Sequence, residues 1–109
     1  MPIQIDLGGE TRELKYSFGA IRAMEREAGM GISKLVSPDQ QGLNTICLLI
    51  WAGLRHEKKR QTTDQVEKLL DQYIEDGGSV KALGILVNMA LAESGILGKE
   101  TEETAGGNF

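Results

Sequence analysis

Residues 3–16 alternate between apolar and polar side chains in two runs joined by Gly8-Gly9. One face of this stretch carries Ile3, Ile5, Leu7, Arg12, Leu14 and Tyr16. A period of two is typical of β-strands, and the pair Gly8-Gly9 supplies the positive φ angles that a tight hairpin turn requires. The pattern predicts a β-hairpin over residues 3–16. Because a lone hairpin is marginally stable in water, we expect it to lie on the helices that follow.

From residue 17 onward, apolar residues recur at spacings of three and four, which is typical of helices. The spacing predicts helices over about 18–28, 43–55, 63–76 and 80–94, with residues 30–42 as a connector. Their predicted N-caps include Ser17, Ser79 and Thr62, which forms a capping box with Gln65. The second helix is apolar on nearly every side, so we expect it to be buried at the centre.

These elements together predict an α+β fold that is mainly α, with an N-terminal β-hairpin followed by a bundle of about four helices. Its predicted core stripes include Phe18, Leu43, Ile74 and Val80. Residues 1–95 are predicted to form a single domain. The composition of residues 96–109 is acidic and rich in glycine, which is typical of a flexible tail.

The fourth predicted helix carries a second apolar stripe opposite its core stripe. Ala82, Ile85, Met89 and Ala92 form it, at spacings of three and four. A terminal helix of a small domain cannot easily bury two faces within its own chain. We therefore expect this stripe to bind a partner, although the hairpin could also cover it.

Composition and charge exclude several classes of protein. The chain has 109 residues, one Cys, one His and a net charge of −4. One Cys cannot form an intrachain disulfide, and a Cys/His zinc site needs more ligands. The acidic balance argues against a general nucleic-acid or anionic-membrane binder. No signal peptide is expected, and the longest apolar run, 46–54, is shorter than the roughly 18–20 residues of a membrane span.

Candidate catalytic residues do not combine into a site. His56 follows the apolar helix that contains Cys47, and a buried Cys usually acts as a small hydrophobe. The carboxylates of Asp71 and Glu75 belong to a polar helix face, which offers no cleft of the kind that a catalytic acid needs. We expect no enzymatic activity, no cofactor and no metal.

The segment 55–60 is strongly basic. Arg55, Lys58, Lys59 and Arg60 make it a candidate secondary contact, and an alternative function is a small regulatory adaptor that binds protein or nucleic acid through this loop. The neighbourhood has neither interleaved aromatics nor a wide basic field, so nucleic acid is the less favoured partner. A solvated loop between helices is the other interpretation.

The order of these elements resembles a known group of proteins. The hairpin sequence at 5–16 is followed by a run at 49–57 that contains Trp51, Gly53, His56 and Glu57. Over residues 3–94 the chain resembles the tail assembly chaperone families of long-tailed bacteriophages and gene transfer agents. One departure is the basic run 58–60, where acidic residues or proline would be expected.

The resemblance implies a non-enzymatic assembly protein without cofactors. Such a chaperone self-associates and binds the tape measure protein, which it keeps soluble while the tail tube polymerises. The tail tube protein is a further partner that the resemblance allows. The resemblance also implies action in the host cytoplasm and absence from the mature virion.

Overall fold

The computed structural model describes residues 2–40 and 42–98. In these residues a two-stranded antiparallel hairpin precedes five helices, four of them with seven or more residues. The elements are β1 (Ile3–Leu7), β2 (Glu10–Leu14), α1 (Phe18–Ala28), α2 (Ile32–Leu35), α3 (Leu43–Gly53), α4 (Thr63–Glu75) and α5 (Val80–Ser94), with a short 3₁₀ turn at Pro38–Gln40. The predicted fold class is confirmed.

The hairpin turns at Gly8-Gly9, where both φ angles are positive, at +62° and +78°. Two successive positive φ angles match the right-handed twist of the flanking strands. The strands pair from Ile3 opposite Leu14 to Leu7 opposite Glu10. β1 packs against α4 and α5, and β2 packs against α3. The helices therefore cover the hairpin's apolar face, as the pattern predicts.

Helix α3 lies at the centre of the fold and packs against α1, α4 and α5. Leu49, Ile50 and Ala52 are completely buried, which confirms the prediction from its all-round apolar pattern. The helix ends at Gly53, two residues before the predicted end. The amide of Arg55 already donates to the carbonyl of Ala52 at 3.2 Å, a tighter 3₁₀-type bond that terminates many helices.

The predicted helix starts are confirmed by their hydrogen bonds. The hydroxyls of Ser17, Thr62 and Ser79 each accept from a backbone amide three residues further on. Thr62 and Gln65 complete the capping box, since the Gln65 side chain accepts from the Thr62 amide at 2.8 Å. These caps satisfy amides that the helices themselves leave unpaired.

The predicted connector 30–42 contains the short helix α2, which the pattern missed. Its first amide, of Ile32, donates to the Glu25 carboxylate at 2.8 Å, and Leu35 is buried in the core. A four-residue helix is too short to show a period, and a side chain from α1 fixes its start. Beyond α5, Ile96 packs partly buried against the core. The rest of the predicted tail, residues 99–109, lies outside the described residues.

Candidate interaction surface

The outward side of α5 exposes apolar side chains. Ile85 is 49% exposed and Met89 is 47% exposed, while Ala82 and Ala92 beside them are half-buried. The hairpin packs against α5 through β1 and leaves both large side chains open to solvent. The structure therefore places all four predicted partner-binding residues along one side of α5, with the two largest on the surface.

Four residues predicted for the core are exposed instead, and that part of the prediction is wrong. Phe18 is 74% exposed and Leu43 is 70% exposed, and Ile74 and Val80 are each 44% exposed. Each lies in the first or last two residues of its helix. Apolar spacing identifies which side of a helix faces inward, but it does not show where the helix runs past its neighbours.

Leu43 of α3 and Ile74 of α4 lie beside Val80 at the start of α5 and extend its exposed apolar side. We call the resulting set the apolar surface; it consists of Leu43, Ile74, Val80, Ile85 and Met89. Two hollows connect four of its members, and Met89 lies one helical turn beyond Ile85 on α5. The first, between the starts of α3 and α5, is lined by Leu43, Val80 and Ile85 among others. A contiguous exposed apolar area of this kind marks an interaction site more often than scattered apolar residues do.

The second hollow lies between α3, α4 and α5, and we call it the groove. Its lining consists of Leu43, Asn44, Ile46, Cys47, Glu67, Leu70, Asp71, Ile74, Val80 and Leu83. Leu43, Ile46 and Val80 line both hollows, so the two are continuous. The groove does not show in the sequence pattern because its walls come from the ends of three helices that are distant along the chain.

Two side chains of the basic loop, residues 55–60, form contacts within the chain. The guanidinium carbon of Arg55 lies 4.9 Å from the centre of the Trp51 ring, within the range of a cation–π interaction. Arg60 Nε donates to the Arg55 carbonyl at 3.2 Å. Lys58 and Lys59 are exposed. The predicted secondary contact stays a prediction, and these two lysines are its most available members.

Residues in the segment 49–57 connect α3 to the hairpin through hydrogen bonds and an ion pair. The Lys15 amide donates to the Gly53 carbonyl at 2.9 Å, and His56 Nε2 lies 2.7 Å from the Glu13 carbonyl oxygen. Glu57 forms a 3.0 Å ion pair with Arg12, which is largely buried. The residues that carry the family resemblance therefore have structural roles where the hairpin meets the central helix.

The described residues do not bring the candidate catalytic groups together. Cys47 Sγ lies 3.8 Å from the Thr63 carbonyl oxygen, whereas His56 contacts the hairpin. Burial, together with the negative charges of Glu67 and Asp64, raises the pKa of the Cys47 thiol. A raised pKa disfavours the nucleophilic thiolate.

Residues 2–40 and 42–98 contain neither a candidate metal site nor a candidate membrane span. No group of three or more His, Cys, Asp or Glu side chains is placed to hold a metal ion. None of the helices in this part of the chain combines the length and apolar character needed to cross a membrane.

Comparison with known proteins identifies the family. The model of the phage tail assembly chaperone protein family (TAC) matches residues 4–104, nearly the whole chain. No curated protein and no solved structure matches the chain. The matched range includes all of the hairpin except Ile3, all five helices and the apolar surface. The resemblance in the sequence is confirmed: the chain belongs to the phage tail assembly chaperone family.

Proposed function

We propose that this protein binds the tape measure protein of the phage tail through the apolar surface and keeps it soluble while the tail tube polymerises. Membership of the family supports a role as a tail assembly chaperone, which is a non-catalytic role. The observation that carries the proposal is the exposure of Ile85 and Met89 on the outward side of α5, continuous with Leu43 and Val80.

The chemistry of this surface suits such a partner. A tape measure protein is expected to be long and helix-rich, with apolar stripes that would aggregate if left exposed. An apolar helix surface can cover such a stripe as one helix packs against another. The flexible, polarizable side chain of Met89 adapts to varied apolar partners. The net charge of −4 on the chain favours solubility of the complex.

The proposal includes self-association through Ile85 and Met89 on α5, outside the groove, together with action in the host cytoplasm and absence from the mature virion. The tail tube protein is a second proposed partner, because the tape measure protein must pass from the chaperone into the growing tube. No enzymatic activity is part of the proposal.

Coexpression with the tape measure protein tests the function. Ile85→Asp and Met89→Asp each place a charge on the apolar surface, and we expect the tape measure protein to move to the insoluble fraction. Size-exclusion chromatography should show loss of self-association. Ser33→Asp is the matched control, since it adds the same charge at an exposed position on α2. Circular dichroism should show a folded chain in every variant.

The outcomes separate the candidate functions. Tape measure protein that stays soluble with both folded α5 variants contradicts the proposal. If either Asp variant unfolds, Met89→Gln and Ile85→Thr give the same test with a smaller perturbation. If the tape measure protein becomes insoluble with Lys58→Glu and Lys59→Glu but stays soluble with the α5 variants, the result would instead favour binding through the basic loop, as in the alternative adaptor function.

A further inference from the structure

One wall of the groove is acidic. Glu67 and Asp71 line it directly, one helical turn apart on α4, beside the apolar side chains of Leu70 and Ile74. Asp64 and Glu75 continue the same side of α4 because residues three and four apart share a helix face. The groove therefore combines an apolar floor with a row of carboxylates along one edge.

Within the described part of the chain, neither Glu67 nor Asp71 forms an ion pair. The ion pairs of Arg12 with Glu10 and Glu57 lie away from the groove. The groove lining includes no Lys or Arg; Lys81 lines the neighbouring hollow, on the α5 side. The negative field reaches the floor of the groove, since Glu67 and Asp64 add to the burial that raises the pKa of the Cys47 thiol.

The groove is large enough for several side chains. Its volume is about 490 Å³, and sites that enclose drug-sized ligands occupy roughly 300–1,000 Å³. Apolar grooves between helices receive amphipathic helices, whose anchors recur every three or four residues. Charges along the rim select which helix docks.

Building on the proposed function, we propose that the groove binds an amphipathic helical segment of the partner in which lysine or arginine flanks the apolar stripe. The apolar stripe lies against Leu43, Ile74 and Val80, and the basic residues face Glu67 and Asp71. A second copy of this chain is a poorer occupant, because it carries 16 acidic residues against 12 basic ones and adds net negative charge to an acidic edge.

Two synthetic peptides test this charge preference on the full chain. Both are 18-residue helices with the same leucine stripe, one flanked by lysines and the other by glutamates. We expect the lysine peptide to bind about tenfold more tightly at low salt, as two or three exposed ion pairs give together. The preference should shrink in 0.5 M salt, where the Debye length falls below about 5 Å.

The single cysteine reports where the peptide binds. Cys47 lines the groove and is half-buried, so an occupied groove should slow its reaction with a thiol reagent several-fold. The double variant Glu67→Lys, Asp71→Lys should reverse the peptide preference. Its matched control, Glu27→Lys with Asp39→Lys, makes the same charge change at exposed positions outside the groove and should leave the preference for the lysine peptide in place.

Four results would overturn the inference. These are equal binding of the two peptides, an unprotected Cys47 with peptide bound, an unchanged preference in the groove variant, and protection that depends on protein concentration without peptide, which would identify a second copy as the occupant.

Coexpression separates this inference from the proposed function. If the tape measure protein stays soluble with the groove variant but not with Met89→Asp, the result would contradict the basic partner segment while still supporting the proposed function. If the tape measure protein becomes insoluble with the groove variant and with Met89→Asp, but not with the charge control, both the proposed function and the basic partner segment are supported.

Discussion

The phenol oxygen of Tyr16 donates a 2.6 Å hydrogen bond to the carbonyl oxygen of Leu49, in the middle of α3. Tyr16 directly follows the hairpin and is 5% exposed. The bond therefore joins the hairpin to the central helix inside the core. We expect Tyr16→Phe to lower the free energy of unfolding by about 1 kcal/mol, the usual net value of such a bond. Urea denaturation measures this, and an unchanged midpoint would contradict it.

The buried Tyr16 phenol should also make the stability of the protein depend on pH in the alkaline range. Burial raises the pKa of the Tyr16 phenol well above its ordinary value, which is about 10 in an unfolded chain. The folded chain holds the proton while the unfolded chain releases it. The contribution of Tyr16 to the free energy of unfolding is therefore fully present below about pH 10. It is lost as the pH rises toward the pKa of the folded state, at about 1.4 kcal/mol per pH unit.

Denaturation between pH 8 and 11.5 measures that loss. Tyr16→Phe is the control, because phenylalanine has no proton to release. The two proteins should converge in stability as the pH rises above 10. Parallel curves over this range would show that Tyr16 is not the group responsible.

Gly53 at the end of α3 is predicted to resist substitution. A Cβ atom there would lie 2.9 Å from Leu14 Cδ2 and 3.2 Å from the Tyr16 ring. We expect Gly53→Ala to destabilise the protein by about 1–3 kcal/mol, as overpacking of a core does. Thermal unfolding checks this.

Gly19→Ala is the matched control in α1, where the nearest atom to a new Cβ would be 3.9 Å away. It should be neutral or stabilising by up to about 1 kcal/mol, because alanine favours the helix more than glycine does. If both substitutions lowered the melting temperature equally, the close approach at Gly53 would not be the cause.

The Cys47 thiol is predicted to react slowly at neutral pH. Burial raises its pKa first, and the charges of Glu67 and Asp64 raise it further. Glu67→Gln removes one negative charge and should lower the thiol pKa. The pH dependence of alkylation by iodoacetamide measures it, with Glu27→Gln on α1 as the control. A thiol pKa that is the same in both variants would contradict the assignment.

Local pattern was sufficient to predict most of the fold. α1 and α5 begin and end where the spacing and the caps at Ser17 and Ser79 place them. α3 is central because every side of it is apolar. The short helix α2 could not be predicted in this way, since a tertiary contact from Glu25 fixes its start and four residues contain only one turn.

The candidate site was predictable only along α5. Its outward stripe follows from spacing within a single helix, and the structure leaves Ile85 and Met89 exposed as expected. Leu43, Ile74 and Val80 were assigned to the core because a sequence pattern contains no information about how far one helix extends past another. The groove and its acidic edge arise only when three distant segments meet.

The central position of α3 also determines when the chain can fold during its own synthesis. Its partners α4 and α5 are made after it, so when α3 first leaves the ribosome, only α1 and the hairpin are available to cover it. Burial becomes complete once Val87 and Leu91 have emerged from the exit tunnel. From the emergence of α3 until α5 packs against it, the nascent chain therefore exposes the kind of apolar surface that aggregates.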